Sequence, residues 1–206
     1  MAFFDDVYKR FGGYFDKVPM PNLDDNESTL IGRIITHAYI MYGVFPLQIS
    51  LATLLYYLYG EEDGAEIRKG FLRFLPANEA DIIKNFDSGD DSDHAAISDI
   101  FVELNIFSQV TKQNIDKLIL KAGKTALLRN PCFAMQNLVK GMTTKIFFKK
   151  ISFLHFKSLY ELTRPSAKRV IDSLKIEEKG KQEGKIVTWI CRYIRSLTAP
   201  KLETFL

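Results

Sequence analysis

A chain of 206 residues, 47% hydrophobic and 26% charged, is long enough for a domain with its own core and has the make-up of a water-soluble globular protein. Two cysteines are too few for a disulfide scaffold, and the opening MAFFDDVYKRF has acids where a secretory signal needs a basic region. Both point to a reducing, intracellular setting, cytoplasmic or nuclear. The net charge of +3 hides an asymmetry: residues 61–103 hold 12 acidic and 4 basic side chains, residues 112–201 hold 20 basic and 6 acidic. The plainer reading is two solvated surfaces that partly neutralise each other; the sharper one is an anionic partner for the basic half.

In chain order, Phe3, Phe4, Val7, Tyr8, Phe11, Tyr14 and Phe15 recur at helical spacing, but Gly12 and Gly13 interrupt them, so a short or broken helix is expected. Residues 17–27 read as a loop held extended by Pro19 and Pro21, with Asp25, Asn26 or Ser28 available as a cap. The stretch 30–60 is the most apolar of the chain. Leu30, Ile31, Ile34, Ile35, Ala38, Met41 and Tyr42 predict one face of a helix that Gly43 ends. Pro46 is suited to open a second helix, carrying Leu47, Ile49, Leu51, Leu54, Leu55 and Leu58 and stopped by Gly60. Ala38 to Gly60 contains no charge, yet Gly43 and Pro46 divide it into halves too short for the ~20 residues a membrane span requires. A buried hairpin is the expectation, with no membrane among the partners.

Beyond Gly60, Ile67, Phe71, Phe74 and Leu75 form one stripe, and Ile82, Ile83 and Phe86 another after Pro76. Asp87, Asp90, Asp91 and Asp93 lack the glycine placement and closing glutamate of a calcium loop, so residues 87–96 read as a solvated turn. Ile97, Ile100, Phe101 and Leu104 predict the next helix. Thr111 is a candidate cap for another, with Ile115, Leu118, Ile119, Ala122 and Leu127 inward. Asn130 and Pro131 break it before Phe133, Leu138 and Val139. Residues 144–162 mix lysines with aromatics. A nucleic-acid groove uses both, but Ile146, Phe147, Ile151, Phe153, Leu154, Phe156, Leu159 and Tyr160 fit a core and its edge better, so nucleic acid is not the expected partner. Pro165 opens a helix with Val170, Ile171 and Leu174 inward. Residues 175–185 read as a charged linker, and Ile186, Trp189, Ile190, Tyr193, Ile194 and Leu197 make a final amphipathic helix.

Three groups of residues, in order, resemble the N-lobe and hinge of HECT-type ubiquitin ligases. Gly32-Arg33-Ile34-Ile35 with Ala38, then Phe45-Pro46-Leu47, Leu54-Leu55 and Gly60, is similar to the family's first helical pair; Thr36 stands where the family has a second glycine. Val110-Thr111-Lys112-Gln113-Asn114 and Lys140-Gly141 resemble the head of its long helix and the end of a later one. Trp189 and Thr204-Phe205-Leu206 resemble the opening of its second lobe. The resemblance implies a mainly α, compact multi-helix bundle with little or no sheet: an N-lobe-like domain at 1–174, a hinge at 175–185 and the start of a C-lobe at 186–206. It also implies a protein-binding, non-catalytic part of a ubiquitin ligase, because the family's thioester cysteine would follow residue 206.

From the residues themselves, Cys191 on the helical stripe and Cys132 in a helix break are expected to be inert, His37 to be a core-edge residue and Arg33 a structural ion-pair member. His37, His94 and His155 match no triad or metal motif, so no catalytic, cofactor or metal residues are assigned. By position in the family, Leu104, Ile106 and Phe107 are the candidate partner-binding residues, and a ubiquitin-conjugating enzyme or a protein substrate is the implied partner. An all-helical interaction module without ubiquitin activity is the alternative.

Overall fold

The computed structural model describes residue 7 and residues 17–19, 23–43, 45–87, 94–143, 147–174, 181–197 and 201–202. The protein is mainly α-helical, and among the described residues the one β pairing is a single parallel bridge between Lys17 and Ile49. The helices are α1 (Asp25–Tyr42), α2 (Leu51–Tyr59), α3 (Gly64–Phe74), α4 (Ala77–Asp87), α5 (His94–Glu103), α6 (Ile115–Gly123), a π-helical turn (Lys124–Arg129), α7 (Cys132–Thr143), α8 (Phe147–Lys150), α9 (Phe153–Thr163), α10 (Ala167–Ser173) and α11 (Lys181–Ser196). The chain divides into two units, residues 1–160 and residues 161–206. The aromatic N-terminal pattern, most of the acidic turn at 87–96, residues 175–180 and the Thr204-Phe205-Leu206 segment lie outside the described residues.

In the first unit α1 starts at Asp24, whose carboxylate accepts the Glu27 N–H at 2.7 Å, and ends at Gly43 with φ 65°. Its buried face is not the run of large apolar residues expected from spacing alone. Ser28, Ile31, Gly32, Ile35, Thr36 and Ala38 are buried, whereas Leu30, Met41 and Tyr42 are exposed. The reason is the neighbour. α1 packs chiefly on α7, and so closely that a methyl group at Gly32 would strike the Leu138 carbonyl and one at Gly141 the Thr29 carbonyl. Backbones approach this near only across small residues, so Gly32 and Thr36, four apart, occupy the contact. The Thr36 hydroxyl lies 3.0 Å from the Gly32 carbonyl and 3.2 Å from that of Met142.

The span 38–60 is indeed two separate helices, but the second begins at Leu51, five residues after Pro46. The intervening backbone is used elsewhere. Lys17 N–H donates to the Gln48 carbonyl and Ser50 N–H to the Lys17 carbonyl, both at 2.8 Å; the Tyr160 hydroxyl donates to the Ile49 carbonyl at 2.6 Å. Groups bound to distant partners cannot join a helical ladder. α2 is apolar all round and therefore buried on two sides. Leu51, Leu54 and Leu55 enter a cluster with Ile31, Ile35, Met135, Leu138, Phe148, Phe156 and Tyr160. Ala52 joins a second cluster built by Ile67, Phe71, Ile83, Phe86, Ile97, Phe101, Ile119 and Leu127. Phe148, Phe156 and Tyr160 of the lysine-rich segment 144–162 thus lie in the core, whereas Leu154, expected there too, is exposed; Phe156 meets Phe45 edge-on at 5.6 Å, and Tyr160 meets it at 6.0 Å.

The expected break at Asn130 and Pro131 takes the form of a π-helical turn running into α7. Widening a turn displaces carbonyls from the ordinary ladder, and two of these accept side-chain hydroxyls from α2: Thr53 donates to Leu127 at 3.0 Å and Tyr57 donates to Leu128. Phe133 is exposed at the start of α7.

In the second unit Ser166 caps α10, accepting the Arg169 N–H at 3.3 Å. Val170, Ile194 and Leu202 form its small core, with Ala167, Ile171 and Leu197 beside them. α11 begins at Lys181, so residues 181–185 of the expected linker are helical; Lys, Gln and Glu are good helix formers, and the lone Gly184 is tolerated.

Candidate partner-binding surface

The segment around residues 101–112 is set by the way α5 ends. Asn105 takes a left-handed φ of 59°, which asparagine tolerates. Ile106 N–H then reaches back to the Phe101 carbonyl and Asn105 N–H to that of Val102, both at 2.9 Å. This is a Schellman closure, and its usual hydrophobic contact follows, since Ile106 and Phe101 are buried in the same cluster. The three candidate residues consequently have different fates. Ile106 is only 2% exposed, Leu104 is half-buried against the cluster, and Phe107 stands 78% exposed. Of the three, Phe107 alone presents its side chain to solvent.

After Phe107 the chain folds over the first turn of α5. Thr111, expected as a helix cap, does not cap with its side chain. Instead the Asn114 side chain accepts the Thr111 N–H and donates to the Gln109 carbonyl, both at 2.8 Å, and α6 begins at Ile115. Val110 is buried and anchors the loop. Between this loop and α5 lies an open groove of about 600 Å³, lined by His94, Ser98, Gln109, Thr111 and Lys112 among others. Its walls are more apolar than polar, with Ala95 and Val110 set among the side chains of His94, Ser98, Gln109, Thr111 and Lys112. From the sequence, Val110-Thr111-Lys112-Gln113-Asn114 reads as the head of a helix, and neither it nor His94 and Ser98 on the other wall signals a groove.

No known family model, curated protein or solved structure matches this chain.

The remaining chemistry-bearing residues are dispersed. Cys132 is exposed at the head of α7 and Cys191 half-buried on α11. Burial, and after it the neighbouring Cys132 and Tyr56, push the Tyr57 hydroxyl well above its ordinary range, which keeps it a neutral donor to Leu128. Burial alone raises Tyr59 to about 12. His37, expected at the core edge, is exposed, as are His94, His155 and Arg33. Among the described residues no three His, Cys, Asp or Glu side chains come together as a metal site, and no helix is long and apolar enough to cross a membrane.

One charged cluster is well formed. Lys157 of α9 lies 2.9 Å from Asp63 and 3.1 Å from Glu66. The hydrogen bond from Lys157, reinforced by the N–H groups of Glu66 and Ala65, holds the Asp63 carboxyl below its usual range; the same bond raises Lys157. Because Asp63 also caps α3, the cluster ties α9 to a helix N-terminus and reads as structural.

Proposed function

We propose that this chain is a non-catalytic, helical protein-binding module, and that its place is in ubiquitin transfer, as a divergent relative of the HECT N-lobe and hinge. The observation that carries the binding reading is Phe107: a largely exposed aromatic ring on a loop braced by Asn114 and Val110, close in sequence to an open groove. Aromatic side chains held on a rigid support are the residues that dominate protein interfaces. The ubiquitin part of the proposal rests on the ordered resemblance at Gly32–Gly60, Val110–Asn114 and Trp189. The close α1–α7 crossing offers a physical reason for small residues at Gly32, Thr36 and Gly141. An interaction module outside the ubiquitin pathway is the second reading, and the half-buried Leu104 and buried Ile106 favour it. A nucleic-acid role is weakened because Phe148, Phe156 and Tyr160 lie in the core, where no base can stack on them.

The test is titration of the chain with a panel of ubiquitin-conjugating enzymes, read by calorimetry. The expected result is binding to at least one, weakened roughly 10-fold or more by Phe107→Ala. No binding to any of them removes the ubiquitin assignment and leaves the general module. A reducible adduct on Cys132 or Cys191 with charged enzyme overturns the non-catalytic assignment.

A further inference from the structure

α11 carries its apolar residues in an unusual way. Ile186, Trp189, Ile190 and Tyr193 fall at i, i+3, i+4 and i+7 and so form one stripe, yet Trp189 is 75% exposed, Ile186 and Tyr193 59% each, and Ile190 40%. The helix is held to its own unit by a different side, through Ile194 with Val170 and Leu202. Along one edge of the stripe run exposed cations. Lys185 lies one turn before Trp189 and Arg192 one turn after it, and Arg195 lies further round on the same side. The second unit adds exposed Lys168, Arg169 and Lys201; over residues 161–206 there are ten basic and six acidic side chains.

We propose that this face of α11 docks on an anionic phospholipid surface, lying flat in the headgroup region. The pattern matches what such a surface recognises. Tryptophan and tyrosine settle at headgroup level, isoleucines reach the acyl boundary, and flanking lysines and arginines pair with lipid phosphates and carboxylates. A membrane span needs length, which the helices among the described residues lack; a helix lying in the interface needs only one apolar face with cations beside it. A second copy of the chain fits less well. Two-fold docking of antiparallel helices centred near Trp189 would set Lys185 of each copy beside Arg192 of the other, like charge against like charge.

Trp189 is the only tryptophan in the chain, so it reports on this face alone. The experiment mixes the full chain with vesicles of phosphatidylcholine, with or without roughly one-third phosphatidylserine, and follows Trp189 emission and its quenching by acrylamide. With phosphatidylserine the emission shifts to the blue and quenching falls; with phosphatidylcholine alone, or at high salt, neither occurs. Arg192→Gln with Arg195→Gln weakens apparent binding about 30-fold, from ~1 kcal/mol per neutralised cation. Ile186→Glu, at an exposed position that leaves folding intact, abolishes the shift. Three results overturn the proposal: no shift with anionic vesicles at low salt; equal response to both vesicle types; or a shift seen only on adding an acidic protein probe such as calcium-loaded calmodulin. A shift that grows with protein concentration in the absence of lipid overturns it in favour of self-association.

Discussion

Phe71 and Trp189 are both large aromatic side chains on amphipathic helices, and they end in opposite environments. Phe71 of α3 is fully buried within the larger unit's second cluster, while Trp189 of α11 stands in the open. The larger unit has two clusters that share α2, so most of its helices find cover. The smaller has Val170, Ile194 and Leu202 at its centre, and among the described residues this core engages one side of α11 only. Periodicity says which face of a helix is apolar. Whether that face is covered depends on how much other chain is available to cover it.

The comparison is tested most severely by truncating the two aromatics. Phe71→Ala removes a buried ring and leaves a cavity, with an expected loss of about 3–5 kcal/mol in the denaturant-unfolding free energy of the larger unit. Trp189→Ala removes an exposed one, and the expected change, followed by far-ultraviolet circular dichroism, stays within about 0.5 kcal/mol. A large loss from Trp189→Ala would mean that the α11 face is covered within the free chain.

Glycines sharpen the same contrast. Gly32→Ala drives a methyl group into the Leu138 carbonyl at the α1–α7 crossing, and overpacking of this kind is expected to cost about 3 kcal/mol, seen as a lowered melting temperature. Gly184→Ala on α11 meets no atom within 4 Å, so only the helix propensity changes. There the expectation is a gain of about 0.5–1 kcal/mol in the transition monitored by Trp189 emission.

The sequence made the helices legible wherever a helix's neighbours demand large apolar residues. Ile67 and Phe71, Ile83 and Phe86, Ile97 and Phe101, and Ile115, Leu118 and Ile119 all occupy the faces their spacing implies, and Gly43 and Gly60 end their helices with positive φ. It was misleading where the neighbour is another backbone. At α1 the contact selects Gly32 and Thr36 over Leu30 and Met41, which a hydrophobicity pattern cannot anticipate. The late start of α2 was hidden for a similar reason, since it depends on Lys17 and Tyr160, far away in sequence. At the candidate surface, position in the chain could not separate Ile106 from Phe107. The separation comes from the left-handed turn at Asn105, which sends one side chain inward and leaves the next outside.

The smallest expected effect concerns polar fastening. In the larger unit Lys157 holds Asp63 and Glu66 at hydrogen-bond distance; in the smaller, the Arg164 Nε to Glu161 pair is looser, at 3.5 Å. Asp63→Asn keeps a good helix cap while removing the charge, so it isolates the ion pair, and about 1 kcal/mol is expected to be lost near neutral pH. The carboxyl of Asp63 is held below its usual value of 3.8 in the folded chain. Its contribution is therefore complete above about pH 4 and is lost as the pH falls through the lowered value, when the folded state must take up the proton as well. Denaturant midpoints of the wild type and Asp63→Asn should differ at pH 6 and converge as the solution is made more acid than pH 4. A difference that persists unchanged at the acid end would show that the substitution acts through the cap of α3 and not through Lys157.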